Sequence, residues 1–256
     1  MRNKLTDELA VCGLNATLAL AEYHPESINR LFLREDRFRA FTGVCKQLAE
    51  RKRPYKTCTD EELERICKSV HHQGVVAMIV DPAVEPLTRE DLDLWTSEGK
   101  TGIVLHEVGN DHNLGAIARA AAFFDAHFIV LNENDSEARL STSAYRIAEG
   151  GMEHIVMRKV SNTAAFLKDA AEKIVVIGTD IRARLRIGDL PRVVKDWGCE
   201  AGRPGIALVL GNEESGLPQG VKGNCTCLLR VPGTGNIESL NVSQAAALFL
   251  REIYDL

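Results

Sequence analysis

V-P-G-T-G-N-I-E-S-L-N-V-S-Q-A-A-A-L-F-L-R-E-I-Y, residues 231–254, joins a loop to a helix through a run of polar side chains. Val242, Ala245, Ala246, Phe249 and Ile253 fall at i, i+3, i+4, i+7 and i+11, one face of an α-helix. Pro232, Gly233 and Gly235 break regular structure ahead of it. Ser239, Leu240, Asn241, Val242 and Ser243 stand where the loop enters the helix. A helix N-terminus there offers unpaired N–H groups to a ligand. Ser239 or Asn241 is also an ordinary N-cap, so these residues alone leave a binding role and a plain cap both open.

The stretch upstream decides the fold class. From Thr101 onward, short apolar runs alternate with helical stripes. The runs are 103–105, 128–131, 155–157, 174–177, 206–210 and 228–231; the helices are 114–124, 141–149, 162–172 and the last one. This alternation predicts an α/β domain with a mainly parallel sheet and helices on both faces. Ligands in such sheets bind beyond the carboxyl ends of the strands. Two polar stretches occupy such ends: N-D-H-N-L-G-A-I-A-R, residues 110–119, and G-N-E-E-S-G-L-P, residues 211–218. The second has P-loop glycine spacing, but Leu217-Pro218 stands where Lys and Ser/Thr should follow, so a phosphate cradle is not expected.

Three patterns now stand in order. N-x-G-x-x-x-R is met by Asn113, Gly115 and Arg119. G-x-E-x-x-G is met by Gly211, Glu213 and Gly216, and P-(loop)-S-L-N-V-S runs from Pro232 to Ser243. Together they resemble the three motifs of the SpoU/TrmH family of RNA ribose 2′-O-methyltransferases, within the SPOUT superfamily. The likeness spans residues 101–254 strongly and 8–80 more weakly.

The resemblance implies a C-terminal, trefoil-knotted methyltransferase domain that binds S-adenosylmethionine. Cofactor contacts, largely through backbone, map onto Gly211, Val231 and Leu240, with Thr179 a weaker carry-over. The catalytic set maps onto Arg119, Asn113, Glu213, Ser239 and Asn241. In the family the Arg is proposed to take the ribose proton. A guanidinium stays charged in proteins, so a clamp on the RNA phosphate that steadies the forming alkoxide suits it better. The family forms a two-fold dimer with RNA across both subunits, which implies a homodimer here; Leu248 and Leu250, off the main stripe, suggest that the last helix is buried on more than one side. Asp111 stands where the family often has Pro, and Ala120 where Ser or Thr commonly follows the Arg. Those departures motivate an alternative: an RNA-binding or ribosome-assembly factor that keeps the fold without catalysis.

Residues 8–80 read as a small α/β unit. Residues 11–16 suggest a turn into a helix ending near His24-Pro25. Phe41, Val44, Cys45 and Leu48 form one helical stripe, and Leu63, Ile66, Cys67 and Val70 another. His72-Gln73-Gly74-Val75-Val76-Ala77 resembles the end of the ribosomal-protein-like substrate-binding domain that precedes many SpoU/TrmH catalytic domains. The expected organisation is an RNA substrate-binding domain over 1–80, a linker over 81–100 and the catalytic domain over 101–256.

Charge fits that division. The chain of 256 residues has a formal net charge of −5, which by itself argues mildly against nucleic acid. Residues 30–56, however, hold nine basic side chains against three acidic ones. Arg30, Arg34, Arg51, Lys52 and Arg53 are the candidate RNA contacts, with solvated surface faces as the plain alternative. The seven scattered cysteines include no C-x-x-C, so reduced thiols and no metal site are expected. No apolar run is long enough to span a membrane. The N-terminus lacks the apolar core of a secretory signal, so a cytoplasmic protein is expected.

Overall fold

The computed structural model describes residues 2–3, 7–133, 140–198 and 203–256. The chain forms two compact units, residues 1–83 with 139–154, and residues 84–138 with 155–256. No helix among the described residues is long and apolar enough to cross a membrane.

The first unit is a mixed sheet with helices. Its strands are β1 (Arg2–Asn3), β2 (Glu8–Cys12), β3 (Ile28–Leu33), β4 (Tyr55–Thr57) and β5 (Val75–Val80), in the order β1-β2-β5-β3-β4. Only β3 and β4 run parallel. Its helices are α1 (Leu14–Tyr23), α2 (Thr42–Glu50) and α3 (Asp60–Cys67). Val11 and Cys12, expected in a turn, instead end β2 and pair with Ala77 and Val76. The chain turns one residue later at Gly13, whose φ of 101° disfavours any L side chain. The stripe of α2 buries Phe41, Val44, Cys45 and Leu48 as expected. The α3 stripe stops early: Lys68 takes a left-handed conformation, ending the helix and leaving Val70 exposed. The helix Thr142–Ala148 packs on β2 and belongs to this unit, although the sequence pattern grouped it with the downstream alternation.

The second unit is an eight-stranded, wholly parallel sheet. In chain order its strands are β6 (Glu85–Pro86), β7 (Thr101–Leu105), β8 (Phe128–Asn132), β9 (Val156–Val160), β10 (Val175–Thr179), β11 (Leu185–Arg186), β12 (Ile206–Leu210) and β13 (Cys227–Arg230). They lie in the order β11-β13-β10-β12-β7-β8-β9-β6. Every residue of β7 and β12 is buried, as expected of strands covered on both faces. The helices are α4 (Arg89–Ser97), α5 (Asp111–Phe123), α7 (Thr163–Ala170), α8 (Leu190–Trp197), α9 (Gln219–Lys222) and α10 (Val242–Tyr254), with α6 the Thr142–Ala148 helix above.

Residues 84–100, expected within a linker, form part of this unit. Thr88 and Asp91 close a reciprocal cap that starts α4. Trp95 then anchors the helix in the core: it is fully buried, stacks on Phe128 at 4.9 Å and donates its indole N–H to Ile206 O at 3.0 Å. A Cβ on Gly102 would lie 2.2 Å from the Trp95 ring, so glycine makes the room for it. β6, β11, α8 and α9 are additions to the strand-and-helix alternation expected from the sequence. For α8, Pro191 in the first turn and left-handed Gly198 just past the end were the available signals. In α10, Leu250 is buried as expected on the flank of the stripe of Val242, Ala246, Phe249 and Ile253, but Leu248 falls on the opposite side of the helix and is 45% exposed.

Candidate active site

The parallel topology brings the polar stretches together. β13, β10, β12 and β7 are consecutive neighbours, so their C-terminal ends share one edge. From that edge emerge residues 231–241 after β13, Asp180 after β10, residues 211–216 after β12 and residues 106–113 after β7.

Asn113 is the hub of the edge. It sits in the first turn of α5 and is 8% exposed. Its Nδ2 donates to Glu213 Oε1, and its Oδ1 accepts from Asn241 Nδ2 at 3.0 Å. One side chain therefore ties its own loop to two others that lie 100 and 128 residues away along the chain. Asn241 also caps α10, its Oδ1 accepting from Ser243 N at 2.9 Å and Ser243 Oγ at 2.6 Å. The expected cap at Asn241 is present, and the same amide does a second job: its Oδ1 holds the helix while its Nδ2 holds Asn113. A buried amide with both ends bonded is a rigid joint, since losing either partner leaves an unpaired polar atom.

The loop after β12 is fixed by backbone geometry. A Cβ on Gly211 would meet the Gly216 carbonyl carbon at 2.5 Å, and Gly216 has a φ of 67°. Both glycines are required for this tight return. Asn212, which the sequence reading did not single out, shapes the loop. Its Oδ1 accepts from the N–H groups of Glu214 and Ser215 and from the Ser215 hydroxyl. Its Nδ2 donates to Glu107 O at 2.9 Å, bracing the β12 loop on the β7 loop. An Asn beside a glycine turn was the signal available for it.

The remaining candidates take separate places. Arg119 is exposed on α5, off the buried face of Leu114, Ile117, Ala118 and Ala121. Ser239 lies on the exposed loop before α10 and makes no hydrogen bond among the described residues. Thr179 Oγ1 donates to Val209 O at 3.1 Å, so its hydroxyl proton ties β10 to β12. Val231 is half-buried and Leu240 is 41% exposed. Beside them, Lys222 Nζ pairs with Asp180 at 2.7 Å. Asp111 opens α5 after the Asn110 cap. An acidic residue there complements the helix dipole and starts the helix as a Pro would.

The candidate RNA contacts of the first unit divide into two groups. Arg34 holds Asp36 at 2.8 Å and Asp60 at 3.2 Å, raising its guanidinium above its ordinary pKa through those carboxylates. Arg30 pairs with Glu8, and Arg51 donates to Pro25 O and Glu26 O at 3.1 and 2.6 Å. These three guanidiniums already have partners within the unit. Lys52 and Arg53 are exposed, and their side chains make no ion pair among the described residues. The same holds for Arg39, which the sequence reading counted in the basic patch but not among the contacts.

Residues 100–251 match the SpoU rRNA Methylase family model, and residues 10–85 match the model described as RNA 2′-O ribose methyltransferase substrate binding. A Neisseria meningitidis protein named 23S rRNA (guanosine-2′-O-)-methyltransferase RlmB is 30% identical over 251 residues, 97% of this chain and 95% of its own length. The protein of that name from Bordetella pertussis is 28% identical, covering 94% and 95%. Among solved structures, the SpoU methyltransferase AviRb from Streptomyces viridochromogenes, in complex with AdoMet, has a TM-score of 0.76 at 18% identity, covering all of this chain and 93% of that one.

Proposed function

The chain belongs to the SpoU rRNA Methylase family of RNA methyltransferases, and we propose that it transfers a methyl group from S-adenosylmethionine to a ribose 2′-OH in ribosomal or transfer RNA. The observation that carries this reading is the Asn113 joint, which makes one site of three separate motifs. The RlmB relatives, named as 2′-O-methyltransferases and matched along nearly their full length, supply the choice of ribose over base.

The loop ends suit the cofactor. Gly216 has open space where a side chain would stand, and Val231 and Leu240 add apolar surface for an adenine. Gly211, Val231 and Leu240 would hold the cofactor, with Thr179 bracing the strand end beside them. When bound, S-adenosylmethionine supplies a methyl group on a positively charged sulfur.

The work left to the protein is orientation and charge. Arg119 holds an RNA phosphate and stabilises negative charge developing on the 2′-oxygen, a role for a permanently charged guanidinium. Asn113 sets the distance between α5, which carries Arg119, and the loops that carry the cofactor. Glu213 and Asn241 keep that joint bonded, and Ser239 offers a hydroxyl to the substrate at the loop mouth. Incubation with labelled cofactor and bulk RNA, followed by nuclease digestion, should yield 2′-O-methyl nucleotides. Label recovered only on bases would overturn the ribose assignment.

The protein acts as a homodimer in this reading. α10 packs on α5, and the pair leaves Phe123 79%, Tyr254 56% and Leu248 45% exposed. The rings of Phe123 and Tyr254 both meet Phe124, and a joined, exposed apolar patch of this kind marks an association surface. Light scattering should give a dimer at micromolar concentration, and Phe123→Asp should shift it toward monomer. A wild-type monomer would remove the dimer from the mechanism.

A further inference from the structure

Phe38 and Tyr55 come from different elements and meet on the surface of the first unit. Phe38 lies in the short helix Glu35–Phe41, and Tyr55 begins β4, the outermost strand of the sheet. Their ring centroids are 6.4 Å apart, with planes inclined at 45°. Both remain open, at 39% and 40% exposure, while Phe41 three residues on is buried. All three residues of β4 are exposed.

The chain around the rings is strongly basic. Residues 37–57 contain seven Lys or Arg and one acidic residue, Glu50. Arg39 directly follows Phe38, and Lys52 and Arg53 lie just before Tyr55. The side chains of these three cations carry no ion pair among the described residues. The turn that presents Tyr55 is held firmly: Arg51 donates to the Pro25 and Glu26 carbonyls, Arg53 N to Leu48 O at 2.8 Å, and Leu31 N to Pro54 O at 3.2 Å. A preformed surface loses little entropy when it binds.

One class of ligand uses both features. Single-stranded RNA offers phosphates to the cations and an open base face to the rings, whereas a duplex keeps its bases stacked on one another. We propose that Phe38 and Tyr55 form a stacking platform for an unpaired base of the RNA, with Arg39, Lys52 and Arg53 on the flanking phosphates. The proposal rests on the reading of this unit as the substrate-docking part of the enzyme. It also makes the first unit a selector for loops or bulges, so that the methylated nucleotide lies near unpaired RNA.

The test uses the full chain, an RNA hairpin with an adenine loop, and a blunt duplex of the same stem, with binding followed by fluorescence anisotropy over a range of salt. Phe38→Leu and Tyr55→Leu keep apolar bulk but remove the aromatic face. Each should weaken hairpin binding about tenfold, leave duplex binding unchanged and leave the salt slope intact, because the cations that meet the phosphates stay in place. Phe38→Tyr and Tyr55→Phe should bind as the wild type does. Leu variants that bind the hairpin normally, or that weaken on hairpin and duplex equally, overturn the platform while leaving RNA docking by this unit in place. A wild type that binds neither RNA overturns the docking reading and the platform with it.

Discussion

Asn113 and Arg34 are both polar side chains with two partners each, yet they do different things. Asn113 joins loops from distant parts of the sequence at the open edge of a parallel sheet. Arg34 joins Asp36 and Asp60 within its own small unit and closes a local fold. Spacing marked the first as functional, and charge density marked the second. Spacing was the stronger guide to position, because a motif at a strand end states where a side chain will be, while a cluster of positive residues does not state which cations are already paired.

The largest effect should come from breaking the catalytic edge at its exposed charge. Arg119→Ala should lower turnover on saturating RNA by a factor on the order of 100 or more, the range for removing one preorganised electrostatic group. Cofactor affinity by calorimetry should stay near wild type, because the cofactor loops lie on other strands. Arg119→Lys should not restore the rate, since a point charge cannot reproduce a planar fork. Normal turnover in Arg119→Ala would take Arg119 out of the mechanism, and normal turnover in Arg119→Lys would mean that its charge suffices without the planar fork.

Breaking the joint itself should cost both rate and stability. Asn113→Ala removes two hydrogen bonds whose other partners, Glu213 and Asn241, are exposed and can turn to water, a loss of about 0.5–1.5 kcal/mol for each bond. Turnover should fall and cofactor binding should weaken, because two loops are released at once. In a double-mutant cycle, Asn113→Ala and Asn241→Ala should be strongly non-additive. Additive losses would mean that the three loops are held in register by something other than this amide.

The contrast between the units also separates what the sequence could say from what it could not. The strand ends were legible because buried parallel strands read as short apolar runs and because Asn113, Gly211 and Asn241 follow three of them. The place of Trp95 was not, since its pocket is made by Gly102 and by a carbonyl 111 residues away. Helical periodicity located 141–149 but could not say which sheet it would cover, and the structure puts it on β2. The three-way Asn113 contact is likewise a fact of topology: the motif order implied one shared site, but which atoms close it depends on β12 lying between β10 and β7.

A smaller effect distinguishes working cations from structural ones. Replacing Arg39, Lys52 and Arg53 with Ala should weaken RNA binding and flatten the salt dependence by up to about 0.7–0.9 for each phosphate deprived of its cation. Arg34→Ala should lower the thermal midpoint but leave the salt slope as it was, because its guanidinium is already committed to Asp36 and Asp60. Equal flattening in both variants would erase the division drawn between these two groups.

The smallest effect is a pH dependence that belongs to the fold and not to the chemistry. Glu153, in the first unit, has a side chain only 6% exposed, and burial pushes its carboxyl up to about 7. His24 at 3.8 Å pulls in the opposite direction, and Glu26 adds to the rise. Between the ordinary carboxylate value and about 7, the unfolded chain has released a proton that the folded chain still holds. Stability therefore falls as pH rises through that window and levels off above it. Urea midpoints should show this decline in the wild type. Glu153→Gln, which stays neutral, should flatten it, while cofactor affinity should be the same in both proteins because Glu153 is no part of the strand-end site. A wild-type midpoint that does not fall across the window would mean that the carboxylate is solvated. A change in cofactor affinity with Glu153→Gln would mean that the structural unit and the catalytic edge are energetically coupled, against the separation of roles argued from Arg34 and Asn113.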